Sequence, residues 1–141
     1  VRHAESGGRT HELYKGILGG RARGIFDGLI YVAQDAQKTD ARQTNRNLLL
    51  SPEATAYSMP RLEIYADDVK CTHGSTTGQI SDEQLFYLRT RGFSAEAARA
   101  LLTYAFASEL LEAVEPAALR QELIAELLAR LPQSALIEVA P

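Results

Sequence analysis

Apolar positions follow two regimes along the chain. Up to about residue 80 they fall in short runs broken by glycine, proline and Asp-Gly pairs. Leu13–Leu18 is followed by Gly19-Gly20, Arg21–Phe26 leads into Asp27-Gly28, and Leu29–Val32 is a compact β-branched and aromatic run. Such runs between turn residues read as strands. An Asp-Gly pair between two of them predicts a tight hairpin; a parallel stack that coils past this point is the alternative. Gln34–Asn47 is rich in Gln, Asn, Thr, Asp and Arg and is long for a bare loop. It predicts short polar strands and corners in which stacked Asn and Gln side chains satisfy one another. Leu48–Leu50 returns to the core and ends at Ser51-Pro52. Ala54–Ser58 and Arg61–Tyr65 are the next strands, with Met59-Pro60 between them. Leu62, Ile64 and Ala66 alternate with Glu63 and Tyr65, the period of a half-buried strand. Val69–His73 reads as another strand and Gly74–Gly78 as a polar loop. Val1–Thr10 is polar and glycine-rich and predicts a flexible end reaching residue 11. Six or so short strands without intervening helices suit an all-β solenoid, sandwich or barrel.

Helical spacing begins at Ser81. Ser81 with Gln84 matches a capping box. The helix carries Leu85, Phe86 and Leu88 and stops at Gly92, a left-handed C-cap. Ser94 caps the next helix, which places Ala97, Leu101, Tyr104, Ala105 and Ser108 on one face. Pro116 suits the first position of a third helix. Its apolar stripe is Leu119, Leu123, Leu127 and Leu131; Leu131-Pro132 ends it and Gln133–Pro141 is a tail. The chain therefore divides at about residue 80, with a helical domain over 81–141.

Composition narrows the function classes. The 141 residues suffice for one domain or two small subdomains. No apolar run approaches the roughly 20 residues that span a bilayer, so no membrane role is expected. The first residues lack the apolar core of a signal peptide, and the chain does not begin with Met, which predicts a piece of a longer protein. A single cysteine excludes an internal disulfide framework and a self-contained four-cysteine metal site, and it fits a reducing, cytoplasmic compartment. Residues 1–80 carry ten Lys/Arg and nine Asp/Glu, residues 81–141 five and nine. Neither half has the basic stripe of a nucleic-acid binder.

The chemistry concentrates where strands give way to helices. Val69, Cys71 and His73 share one face of a strand, Lys70 and Thr72 the other. Cys71 and His73 lie about 6.6 Å apart along it. A thiol and an imidazole form a soft pair suited to zinc, iron or an iron–sulfur species. They fill half of a tetrahedral shell, and His3 and His11, near the N-terminus, are poor candidates for the rest. Core packing is the alternative for Cys71, since cysteine is among the most buried residue types. A Cys–His nucleophile pair is a further reading. No phosphate-binding glycine loop is present: Gly16–Gly20 lacks the Lys-Ser/Thr ending. Asp67-Asp68 suits a turn better than an acid/base pair.

Four stretches carry a family resemblance: Phe26–Val32, Ala36–Ser51, Leu62–Gly74 and Glu83–Gly92. Together they resemble the C-terminal part of the SufB/SufD family of SUF iron–sulfur cluster assembly proteins, over about residues 12–114. Lys70-Cys71, His73-Gly74 and the Asn45–Leu50 stretch look like the SufD branch. The resemblance implies a mainly β plus α fold: the last turns of a right-handed parallel β-helix over 12–80, then a C-terminal α-helical domain. That sets the hairpin aside. It implies a non-catalytic scaffold subunit that pairs with a SufB-like subunit through its β-helix and with the SufC ATPase through its helices. Leu85, Phe86 and Tyr87 are then candidates for partner binding. A nascent iron–sulfur cluster would form at the interface with SufB, with His73 as the matching histidine and Cys71 beside it. No cofactor is expected to bind this chain stably on its own, and a homodimer is expected in isolation. A β-helix carbohydrate-active enzyme and a purely structural interaction module are the competing readings.

Overall fold

A computed structural model describes residues 1–131; the predicted tail, 133–141, and the helix stop at Pro132 lie outside them. The chain divides into two compact units, Val1–Gly78 and the segment from Gln79 onward. The first is built on β1 (Arg2–His3), β2 (Arg9–Leu18), β3 (Arg23–Val32), β4 (Asp40–Leu49), β5 (Thr55–Ile64) and β6 (Lys70–Gln79). Odd and even strands separate into two three-stranded sheets, ordered β1-β3-β5 and β2-β4-β6. The registered neighbours are parallel: Arg9 lies beside Asp40, and Arg23 beside Thr55. Parallel neighbours need a long return connection, and here the strand of the opposite sheet supplies it. Corners bond as the strands do: Gly7 N–H donates to Gln37 O and Lys38 N–H to Asp68 O.

Several strand boundaries differ from the sequence reading for physical reasons. β3 passes straight through Asp27-Gly28, so no hairpin forms. Gly28 provides space rather than a turn: a Cβ there would lie 2.6 Å from Gln43 Nε2 and 2.7 Å from Phe26 Cζ. β5 likewise runs through Met59-Pro60. Thr55 and Tyr65 N–H donate toward β3, so the alternating backbone turns Pro60 nitrogen to the open edge, where its missing N–H breaks no bond. β6 absorbs Gly74–Gly78, predicted as a loop. The stretch predicted as a flexible end contains β1 and the start of β2. Val1 amino group donates to Leu29 O at 2.8 Å, and His3 is buried.

The strand unit closes on Ile30, Val32, Ala36, Ala41 and Ala66, with Leu62, Val69 and Cys71 packed against them. Ile30 and Val32 are fully buried, each contributing about 1.5–3 kcal/mol.

The second unit contains α1 (Asp82–Thr90), α2 (Ala95–Glu112) and α3 (Ala117–Ala129). Ser81 Oγ accepts the Gln84 N–H at 3.4 Å and Ser94 Oγ the Ala97 N–H at 3.1 Å. α1 ends in a Schellman motif: Phe93 N–H donates to Leu88 O, Gly92 N–H to Arg89 O, and Gly92 takes φ +97°. Pro116 is the N-cap of α3, one residue before its first helical position. The buried residues of α2 are Ala97, Ala98, Ala100 and Thr103, rather than Leu101 and Tyr104. All four are small, which lets neighbours approach closely, and Phe93 packs on Ala97 and Ala100. α3 has no buried residue among those described, and Leu119 and Leu123 of its predicted stripe remain exposed. No described helix is long and apolar enough to cross a membrane.

Candidate functional site

β6 is an edge strand, and every side chain beyond Cys71 on it is exposed. Its placement follows from two contacts. Lys70 N–H donates to Thr39 O at 2.8 Å, and Asn47 Nδ2 lies 3.4 Å from Thr77 Oγ1, thirty residues on. That register sets Cys71 beside Ala41, His73 beside Gln43 and Ser75 beside Asn45. Since Lys70 N–H points to β4, the N–H groups of Cys71, His73, Ser75 and Thr77 point to the open edge.

Cys71 and His73 share the inward face of β6, but their surroundings differ. Cys71 is half-buried and packs on the strand-unit core. Burial pushes its thiol up; a backbone hydrogen bond with Ala41 opposes this, and the Asp40 charge adds to it. Such a thiol stays protonated until a metal or partner displaces the proton. His73, two residues on, is exposed because no further strand covers it. Among the described residues, no three His, Cys, Asp or Glu gather closely enough to hold a metal ion. His3 is committed elsewhere, its Nε2 2.9 Å from Thr10 Oγ1, and His11 is exposed on β2.

Asp27, Asp40 and Asp68 on the strand unit are drawn into ion pairs. Asp27 binds Arg61 at 2.8 Å, Asp68 binds Lys38, and Asp40 lies 3.8 Å from Arg42. Asp68 also caps a corner, its N–H donating to Gln37 Oε1 at 2.9 Å.

The stacked Asn and Gln side chains expected over Gln34–Asn47 are present as a polar column beside His73, though its member Gln43 was not singled out as a site residue. Glu12 on β2 pairs with Gln43 on β4, and Gln43 Nε2 donates to Glu12 Oε2 at 2.7 Å. Gln43 is only 3% exposed, and its Oε1 is buried without a partner. Asn45 is also buried and accepts from Asn47 Nδ2 at 2.8 Å. The available signal was the alternation Ala41, Gln43, Asn45, in which the polar residues take the inward positions.

On the helical unit, Leu85 is buried, whereas Phe86 and Tyr87 are 70% and 56% exposed. Arg91 lies over the Tyr87 ring, 5.1 Å from its centroid. Asp82, Leu85, Phe86, Arg89, Ala95 and Arg99 line a groove between α1 and α2.

Comparison with known proteins places this arrangement. The family model described as SUF system FeS cluster assembly, SufBD core domain, matches residues 1–106. The chain belongs to the SufBD core family. Escherichia coli iron-sulfur cluster assembly protein SufD is 47% identical over 135 residues, 96% of this chain and 32% of that protein. Protein ABCI7, chloroplastic, of Arabidopsis thaliana is 42% identical over 106 residues, 74% of this chain and 22% of that protein. Bacillus subtilis SufD is 29% identical over 124 residues, 88% of this chain and 28% of that protein. The chain thus spans a third or less of the length of these relatives.

Proposed function

We propose that this chain is the C-terminal part of a non-catalytic scaffold subunit in iron–sulfur cluster assembly, of the SufD type. Its alternating parallel strands are the last turns of a right-handed β-helix. The open edge of β6 pairs with a SufB-like subunit, and the exposed Phe86 and Tyr87 of α1 meet the SufC ATPase. The cluster is cargo, built at the subunit interface and passed on. His73 supplies one ligand from this side, the partner supplies the others, and the subunit works in the cytoplasm. The carrying observation is an exposed histidine on a ten-residue edge strand open on one side, in a chain of this family. Potential ligands too few to fill a coordination shell suit a site completed by another chain.

The test is a pulldown of the full-length parent, wild type and His73→Ala, with SufB and SufC partners, followed by anaerobic iron and sulfide analysis. The expected result is an intact complex that loses its iron and sulfide. Unchanged iron and sulfide in the His73→Ala complex would remove His73 from the assembly site.

A further inference from the structure

We infer that Gln43 is a positioning residue for His73: its unpartnered Oε1 accepts one ring N–H and leaves the other ring nitrogen with its lone pair turned outward. This rests on the reading of His73 as a ligand.

Gln43 lies in the interior, and its Oε1 has no hydrogen-bond partner. Its amide orientation is set by Glu12, whose carboxylate oxygen takes the Nε2 hydrogen at 2.7 Å. The oxygen is therefore the atom left over. The amide is also confined from the opposite sheet. The space a side chain on Gly28 would fill lies 2.6 Å from Nε2 and 2.8 Å from Cδ, so the amide occupies that space.

Direction comes from the strand order. Glu12 and His73 flank Gln43 on opposite sides, on β2 and β6. The two amide atoms diverge from Cδ. With Nε2 turned back to β2, Oε1 turns toward β6, where His73 is the neighbour on the inward face. Cys71, the preceding inward residue on β6, already has a backbone hydrogen bond with Ala41. In the chain alone His73 is exposed and the bond is open. The bond would close when another strand covers the edge and turns the ring inward. A histidine that donates one N–H to a carbonyl is fixed in a single tautomer, and its other nitrogen becomes a better ligand.

The experiment labels the histidines of the full-length parent with ¹⁵N and reads the His73 tautomer in the complex with its SufB partner. In the wild type one tautomer should exceed the other by about tenfold more than in free imidazole, the ratio a hydrogen bond of ordinary strength gives. Gln43→Leu should return the ratio to the solution value, and Gln43→Glu, which keeps an acceptor, should retain the bias. A Gln43→Leu complex that keeps the wild-type tautomer overturns the inference, as the residue would then act only in packing. Should Gln43→Leu fail to fold, the wild type decides. A slowly exchanging, downfield ring N–H on His73 supports the bond, and a rapidly exchanging tautomer mixture refutes it. The two readings fail separately. Loss of cluster in His73→Ala with an indifferent Gln43→Leu tautomer sinks this inference alone; an unchanged cluster in His73→Ala sinks the ligand reading, whatever the tautomer.

Discussion

Gly28→Ala places the interior packing under direct test. The substitution adds one methyl at a buried strand position where Gln43 Nε2 and Cδ lie 2.6 and 2.8 Å away and Phe26 Cζ 2.7 Å. In an unobstructed strand, exchanging glycine for alanine would gain about 0.5–1 kcal/mol. Here the methyl must displace the Gln43 amide, and Gln43 holds Glu12 at 2.7 Å. Losing a hydrogen bond to a charged group costs about 1.5–3 kcal/mol, and overpacking a filled core about 1–3 kcal/mol. The losses outweigh the gain by roughly 2–4 kcal/mol. With a urea dependence of about 1–3 kcal/mol per M for a small domain, the unfolding midpoint should fall by at least about 0.7 M. Urea unfolding followed by far-ultraviolet circular dichroism reads this. A double-mutant cycle assigns the cause: in a Gln43→Ala background the cost of Gly28→Ala should drop by about 1.5–3 kcal/mol, leaving the Phe26 clash. A neutral or stabilising Gly28→Ala would refute the close packing of the two sheets at this level. Equal costs in both backgrounds would show that Gln43 does not fill the space above Gly28.

Two further outcomes follow from local geometry. The single thiol, Cys71, should titrate above the ordinary cysteine value of about 8.5 when followed by thiolate absorbance. Because the folded protein holds that proton more tightly than the unfolded chain, its contribution to stability is complete below about pH 8.5 and is lost as pH rises through the folded value; a midpoint at or below the ordinary value would refute the burial argument. Gly92→Ala forces an L side chain to φ +97° and should cost about 1–2 kcal/mol, seen as a lower melting temperature with faster amide exchange at the end of α1; unchanged exchange there would mean the Schellman turn carries no stability.

Period and caps were the readable parts of the sequence. Ser81, Gly92 and Ser94 announce helix ends because each has one dominant local role, and the structure places all three where that role requires. Asp27-Gly28 is ambiguous by local pattern because glycine serves two purposes, a turn or an absent side chain; the family resemblance set the hairpin aside, and the Gln43 amide across the interior gives the physical reason. Pro60 looks like a break because proline usually is one. Its tolerance depends on which way an alternating backbone points, a tertiary fact. In α2 the bulkier Leu101 and Tyr104 suggest the core, yet the buried face is Ala97, Ala100 and Thr103, since close approach favours small residues. Cys71 and His73 were visible as a pair, but spacing could not show that one packs inward while the other stays exposed. Gln43 was foreseen only as one of the stacked Gln and Asn side chains of 34–47, because nothing local names its neighbours until a register puts it between Glu12 and His73.

The edges at β5 and β6 differ in what they permit. Along β5, Pro60 removes a central donor and Arg61 and Glu63 add charge, a combination that discourages strand addition. Along β6 the only permanent charge is Lys70, at its start, and no proline interrupts the ten residues. A chain with such an edge is a template as soon as it folds, so its abundance matters as much as its stability. Left uncovered, the edge would recruit copies of the same chain and drive aggregation. On the proposed pairing through β6, a balanced supply of the two chains becomes a requirement of quality control, written into the backbone of one strand.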